Sequence, residues 1–225
     1  MPDSLEANLT SVQQAIARSA ERAGRDPHEV VVVAVTKTFP VERIREAMTL
    51  GLRRFGENRV QEALPKIEEI GPADVDWHLI GHLQTNKIKF IDGRFQMVQS
   101  VDSVGLVEAL DRRLRSPLDV LIEINVAEEP QKTGALPADL AGIAAAVNAA
   151  PRLRLQGLMT VAPMVADGEQ VRPIFQRLRA LRDETSRRLG VPLPVLSMGM
   201  TEDYAIAVEE GATMLRLGRA LFGPR

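Results

Sequence analysis

The stretch 30-VVVVAVTK-37 is an unbroken run of β-branched and small apolar residues that ends in a lysine. A run of this length and composition suits one strand buried on both faces, the form strands take in a parallel sheet covered by helices. A lysine at its end, followed by Thr38, Phe39 and Pro40, is out of character. At the mouth of a buried strand, desolvation favours the neutral amine and draws the pKa below its ordinary value of about 10.4. A neutral amine attacks carbonyls, so Lys37 in this place suggests Schiff-base chemistry. The competing reading is a strand-end lysine that snorkels to water. The stretch alone leaves both open.

Working outward, apolar residues at Leu5, Leu9, Val12, Ala15, Ile16 and Ala20 recur near the helical period, and Gly24 suits a C-terminal cap. Beyond Lys37 the chain alternates. Strands are expected over 52–55, 76–80, 95–101, 118–126, 153–160, 195–198 and 213–217. Helices are expected over 41–50, 60–70, 86–91, 103–114, 137–149, 171–189 and 205–210, with a last turn opening at Gly218-Arg219. Gly51, Gly71-Pro72 and Gly211 punctuate helix ends, Asp102 or Ser103 offers an N-cap, and Pro137 suits a first turn. Eight strands each followed by a helix, without a linker or a shift in composition, predict a single (β/α)8 TIM barrel domain over residues 1–225 with an extra N-terminal helix. An open doubly wound sheet would prefer a glycine-rich first βα turn, and here that turn is TKTFP.

Composition narrows the function. With 28 basic and 30 acidic side chains the formal charge is −2, which provides no footprint for nucleic acid or an anionic membrane surface. Cysteine is absent, which fits a reducing, cytoplasmic setting and removes thiolate chemistry. No apolar run approaches the length of about 18 residues needed to span a bilayer. His78 and His82 stand four residues apart but flank a glycine in an extended segment, so no metal site is expected. No long apolar patch outside the barrel pattern asks for a partner, so a monomer is expected.

In a barrel of this kind the C-terminal strand ends build the site. The polar residues gather there: Lys37 after the first strand, Glu57 and Asn58 after the second, His78, His82, Gln84 and Asn86 around the third, and Ser100 and Asp102 after the fourth. Asn125 and Lys132 follow the fifth, Thr160 the sixth, Ser197 to Asp203 the seventh and Arg216 to Arg219 the eighth. Ser197, Gly199 and Thr201 stand ahead of one helix and Gly218 ahead of another, so free backbone N–H groups can converge on a phosphate. Strand eight neighbours strand one in a closed barrel, so a phosphorylated aldehyde would bridge the phosphate loops and Lys37. Pyridoxal 5′-phosphate (PLP) has that shape.

The stretches AVTKTFP, RRFGENRVQEALPK, WHLIGHLQTNK, VQSVDS, INVAEEPQKTG, GLMT and LSMGMTEDYAIAVEEGATMLRLGRALFG together resemble the pyridoxal phosphate homeostasis proteins of the YggS/PROSC type, which are similar to the barrel domain of alanine racemase without its second domain. The resemblance implies that Lys37 is the Schiff-base lysine and that Arg216 faces the pyridine nitrogen. It also implies that Ser197, Thr201, Gly218 and the backbone N–H of Arg219 cradle the phosphate, and that Asn58 and Lys132 line the cofactor. Many relatives carry a small hydroxyl residue where this chain has Arg219, so only a backbone contact is expected there.

The implied function is a PLP-binding protein in intracellular vitamin B6 homeostasis, with little or no turnover and with apo PLP-dependent enzymes as recipients. An arginine at the ring nitrogen donates a hydrogen bond but no proton, which weakens the electron sink of PLP chemistry. No catalytic residue is assigned, and the lone tyrosine, Tyr204, is read as packing or a cofactor-edge contact. The alternatives are a weak PLP-dependent amino-acid racemase and a cofactor-free Schiff-base aldolase.

Overall fold

The computed structural model describes residues 4–71, 74–163 and 168–224. Pro72, half of one expected helix-ending pair, lies outside them. Eight parallel strands close in chain order: β1 (Val31–Val35), β2 (Arg54–Glu57), β3 (Asp76–Leu79), β4 (Met97–Val101), β5 (Leu118–Glu123), β6 (Leu153–Met159), β7 (Val195–Ser197) and β8 (Met214–Leu217). The last seam pairs Val31 with Met214 through Ala34 with Leu217, so β1 is paired on both edges, as its apolar run requires.

Helices follow the strands: α2 (Val41–Thr49), α3 (Val60–Ile70), α4 (Ile88–Ile91), α5 (Val104–Arg113), α6 (Leu140–Ala149), α7 (Arg172–Leu189), α8 (Tyr204–Glu209) and α9 (Arg219–Phe222). Ahead of the barrel, α1 (Leu5–Arg22) buries Leu5, Leu9, Val12, Ile16 and Ala20 on one face. It docks against α8 and α9. Asn8 donates to the Leu221 carbonyl at 2.9 Å, Arg22 pairs with Glu209 at 2.6 Å, and Arg25 donates to the carbonyls of Val208 and Ala212.

Two apolar layers result. The larger lies between strands and helices, and a smaller one of Val33, Met97, Leu121, Met159 and Met214 fills the barrel. At Gly157 of β6, an added Cβ would sit 1.8 Å from the Val195 carbonyl oxygen, so β7 can lie against β6 only where no side chain intervenes.

The expected fold is the observed one, with two informative shifts. β2 runs from Arg54 to Glu57 rather than over 52–55, because Glu57 finds a buried cation and can complete the strand inside the protein. β5 stops at Glu123 rather than 126, because the Asn125 side chain bonds the Glu129 backbone in both directions, at 2.8 and 3.2 Å, and turns the chain.

Candidate functional site

Apart from His78, which lies within β3 and lines the N-terminal end of the barrel, the residues singled out in the sequence stand at the C-terminal strand ends or in the loops beyond them. Lys37 lies two residues past β1 and is half-buried. Both of its neighbours are tied down. Thr36 Oγ1 donates to Glu57 Oε1 at 2.7 Å, and Lys66 Nζ donates to the Thr36 carbonyl and to Glu57 Oε1, each at 2.8 Å. On the other side the Thr38 N–H donates to Glu62 Oε1, and Thr38 takes φ +68°, a left-handed conformation uncommon for a residue with a β-branch. Glu57 is fully buried; burial pushes its carboxyl up, opposed by its bonds to Lys66 and Thr36. Burial also acts to raise Glu62, but the Thr38 N–H and the Lys66 charge outweigh it and hold the carboxyl below its ordinary value.

Arg216 is buried in β8 at 4% exposure. It donates to Ser197 Oγ at 2.5 Å and to the Thr160 carbonyl at 2.7 Å. Burial pushes its pKa down to about 10, with Glu123 and Asp203 pulling the other way, so the guanidinium stays charged at neutral pH. Because arginine only donates, the Ser197 hydroxyl hydrogen goes to Gln99 Oε1, 2.6 Å away. The Gln99 amide nitrogen then faces His78 Nδ1 at 2.9 Å and Met214 Sδ at 3.2 Å. Ser197 is thus fully buried, and its hydroxyl accepts from Arg216 and donates to Gln99.

The other half of the expected cradle is differently built. Thr201 Oγ1 accepts the Ala220 N–H at 3.2 Å, which knits the loop after β7 to the start of α9 just past Gly218. Gly199 takes φ +98°, and a Cβ there would stand 2.7 Å from the Ala207 Cβ, so the turn needs glycine. The Arg219 side chain donates to Glu202 Oε1 at 3.0 Å and is 59% exposed.

Asn58 is half-buried at the end of β2. Lys132 lies in the loop folded onto Asn125, with its Nζ 2.7 Å from Glu129 Oε1, while Thr133 Oγ1 donates to the buried Glu123 at 2.7 Å. Tyr204 packs against the outer core near Arg18 of α1, and burial raises its phenol above the ordinary value. His78 is inside the barrel, whereas His82 is 55% exposed beside Asp102. Among the described residues no group of three or more histidines, cysteines or carboxylates could hold a metal ion.

Sequence reasoning missed Lys66, Glu62 and Gln99. The first two stand four residues apart on one helix face, a spacing that was visible, and Gln99 is the amide inside the fully buried strand 97-MVQSV-101.

The alanine racemase N-terminal domain family matches residues 3–225. A pyridoxal phosphate homeostasis protein of Aquifex aeolicus is 43% identical over 220 residues, covering 96% of each chain. This chain belongs to the pyridoxal phosphate homeostasis proteins. Within that family the Pseudomonas aeruginosa protein is 42% identical over 221 residues, covering 97% of this chain and 94% of its own. PipY of Synechococcus elongatus, solved with PLP bound, superposes with a TM-score of 0.81 at 36% identity, over 93% of this chain and all of PipY. Alanine racemase from Corynebacterium glutamicum shares the fold, at a TM-score of 0.70 and 20% identity, and this chain covers 61% of its length.

Proposed function

We propose that this homeostasis protein binds PLP, with Lys37 as the amine that holds the cofactor's aldehyde, and that it stores or delivers PLP with little or no turnover of its own. The observation that carries the reading is the pairing of Lys37, clamped at the mouth of β1, with the buried, charged Arg216 of β8, the neighbouring strand. The donor set fits the group. A primary amine lies at one end, and at the other a glycine turn with no room for a side chain adjoins a loop stitched by Thr201 to the start of α9. We set Asn58 and Lys132 along the cofactor, and Gly218 and the Arg219 backbone N–H at its phosphate.

Bound PLP supplies an electrophilic carbon and a ring that withdraws electrons best when its nitrogen carries a proton. Arg216 would donate a hydrogen bond to that nitrogen and keep its own proton, so it would anchor the ring without activating it. Thr36, Glu57 and Lys66 hold the β1 end and so would orient Lys37 toward a bound aldehyde. Tyr204, outside the barrel and with its phenol raised, supplies no proton-transfer group for racemisation. We place this role in the cytoplasm, in a monomer that hands PLP to apo-enzymes.

The test is an absorbance spectrum of the purified protein with PLP, before and after borohydride, followed by mass mapping of the labelled lysine. A visible band that borohydride abolishes, with the label on Lys37, is expected. Failure to take up PLP, or an unchanged band in Lys37→Ala, would sink the reading.

A further inference from the structure

A second polar centre lies at the opposite end of the barrel from Lys37. A cavity of about 530 Å³ opens at the N-terminal strand ends, within the range of about 300–1,000 Å³ typical of small-molecule sites. Met97 and Met214 give it apolar wall, and Arg54, Arg154, His78 and Gln96 bring donors to it among the carboxylates of Asp76, Asp92 and Asp119. Arg54 and Arg154 approach Asp76 at 3.4 Å and Asp119 at 2.6 Å through their Nε atoms, which leaves terminal guanidinium nitrogens over. Gln96 spends its carbonyl on the Trp77 N–H at 2.7 Å, leaving its amide hydrogens.

The innermost donor is His78, at 3% exposure. Gln99 donates to its Nδ1, so the ring proton sits on Nε2, and that N–H has no acceptor among the described residues. Arg54 is near enough for its charge, together with burial, to keep the imidazole neutral. As a lining residue of the cavity, His78 offers this N–H to a ligand.

We infer that this cavity is a second binding site, for a small monocarboxylate with a short apolar chain. Its carboxylate accepts from His78 Nε2–H beside Arg54, and its chain lies along Met97 and Met214. Asp76, Asp92 and Asp119 around the opening disfavour dianions such as phosphate esters, so the site selects a single negative charge.

Occupancy reaches the other end of the barrel. Arg216 donates to Ser197, Ser197 to Gln99, Gln99 to His78, and His78 to the bound carboxylate, so the donors all point one way along one line. Such chains polarise together, and a charge at the far end alters the guanidinium at the near end. This step rests on the place given to Arg216 against PLP under the proposed function.

The binding test uses calorimetric titration of PLP-free protein with butyrate, with butyramide and butylamine as size-matched controls. Butyrate alone should bind, and His78→Phe and Arg54→Gln should each weaken it about tenfold. Equal binding of all three compounds, no binding of butyrate, or wild-type affinity in both variants overturns the site. Arg54 is exposed, so that variant decides alone if His78→Phe does not fold. Because this arm needs no PLP, its failure leaves the cofactor assignment standing, and the reverse holds. In the PLP-loaded protein, saturating butyrate should shift the visible band, and Ser197→Ala should abolish the shift while keeping butyrate affinity. A band that stays still with the cavity saturated refutes the coupling.

Discussion

His78 shows how a single side chain can tie stability to acidity. Burial, helped by the charge of Arg54, draws its pKa from 6.5 down to about 3. The unfolded chain therefore takes up this proton first on acidification, and the stability that His78 contributes, complete above pH 6.5, is lost as pH falls toward 3. Between about pH 6.5 and 4.5 the wild type should lose roughly 2–3 kcal/mol through this residue. Urea unfolding at the two pH values, compared with His78→Gln, isolates the effect as a difference in pH dependence. Gly199 makes a steric counterpart. Its φ of +98° and the 2.7 Å approach to Ala207 mean that Gly199→Ala should destabilise the protein by about 1–3 kcal/mol and weaken PLP binding, by denaturant unfolding and by titration of the visible band.

At the scale of elements, α3 is built as the brace for β1 and β2. Its Lys66 is the cation for the fully buried Glu57 and a donor to Thr36, so Lys66→Met should cost about 3–5 kcal/mol by leaving a buried carboxylate without its partner. Adding Glu57→Gln should recover most of the loss in the same urea experiment. This brace marks the limit of what the sequence made legible. The strands and helices could be read because apolar periodicity and glycine punctuation are local signals, and α3 begins and ends where its pattern does, at Val60 and Ile70. Lys37, Asn58 and Arg216 could be proposed because polar residues at the ends of buried strands stand out. Lys66 looked like one charge on an amphipathic helix, since nothing local says that a helix lysine turns inward to a carboxylate nine residues away. The bonds of Ser197 were hidden for a similar reason. Its partners, Gln99 and Arg216, come from strands four and eight, and only closure of the barrel brings the three together.

For the molecule as a whole, a ligand clamped between β1 and β8 should hold the barrel's closing seam shut. PLP at about 100 times its dissociation constant should raise stability by about 2.7 kcal/mol, seen as a concentration-dependent rise in Tm that Lys37→Ala loses. That seam also dictates an order of events during synthesis. The apolar face of α1, with Leu5, Leu9, Val12 and Ile16, finds its partners in α8 and α9, some 200 residues later, as the Asn8 to Leu221 bond across 213 positions shows. Helix α1 leaves the ribosome well before the helices it docks against, and its greasy side waits in the open while seven strands form. A nascent chain of this barrel is most exposed to chaperones and to aggregation along α1.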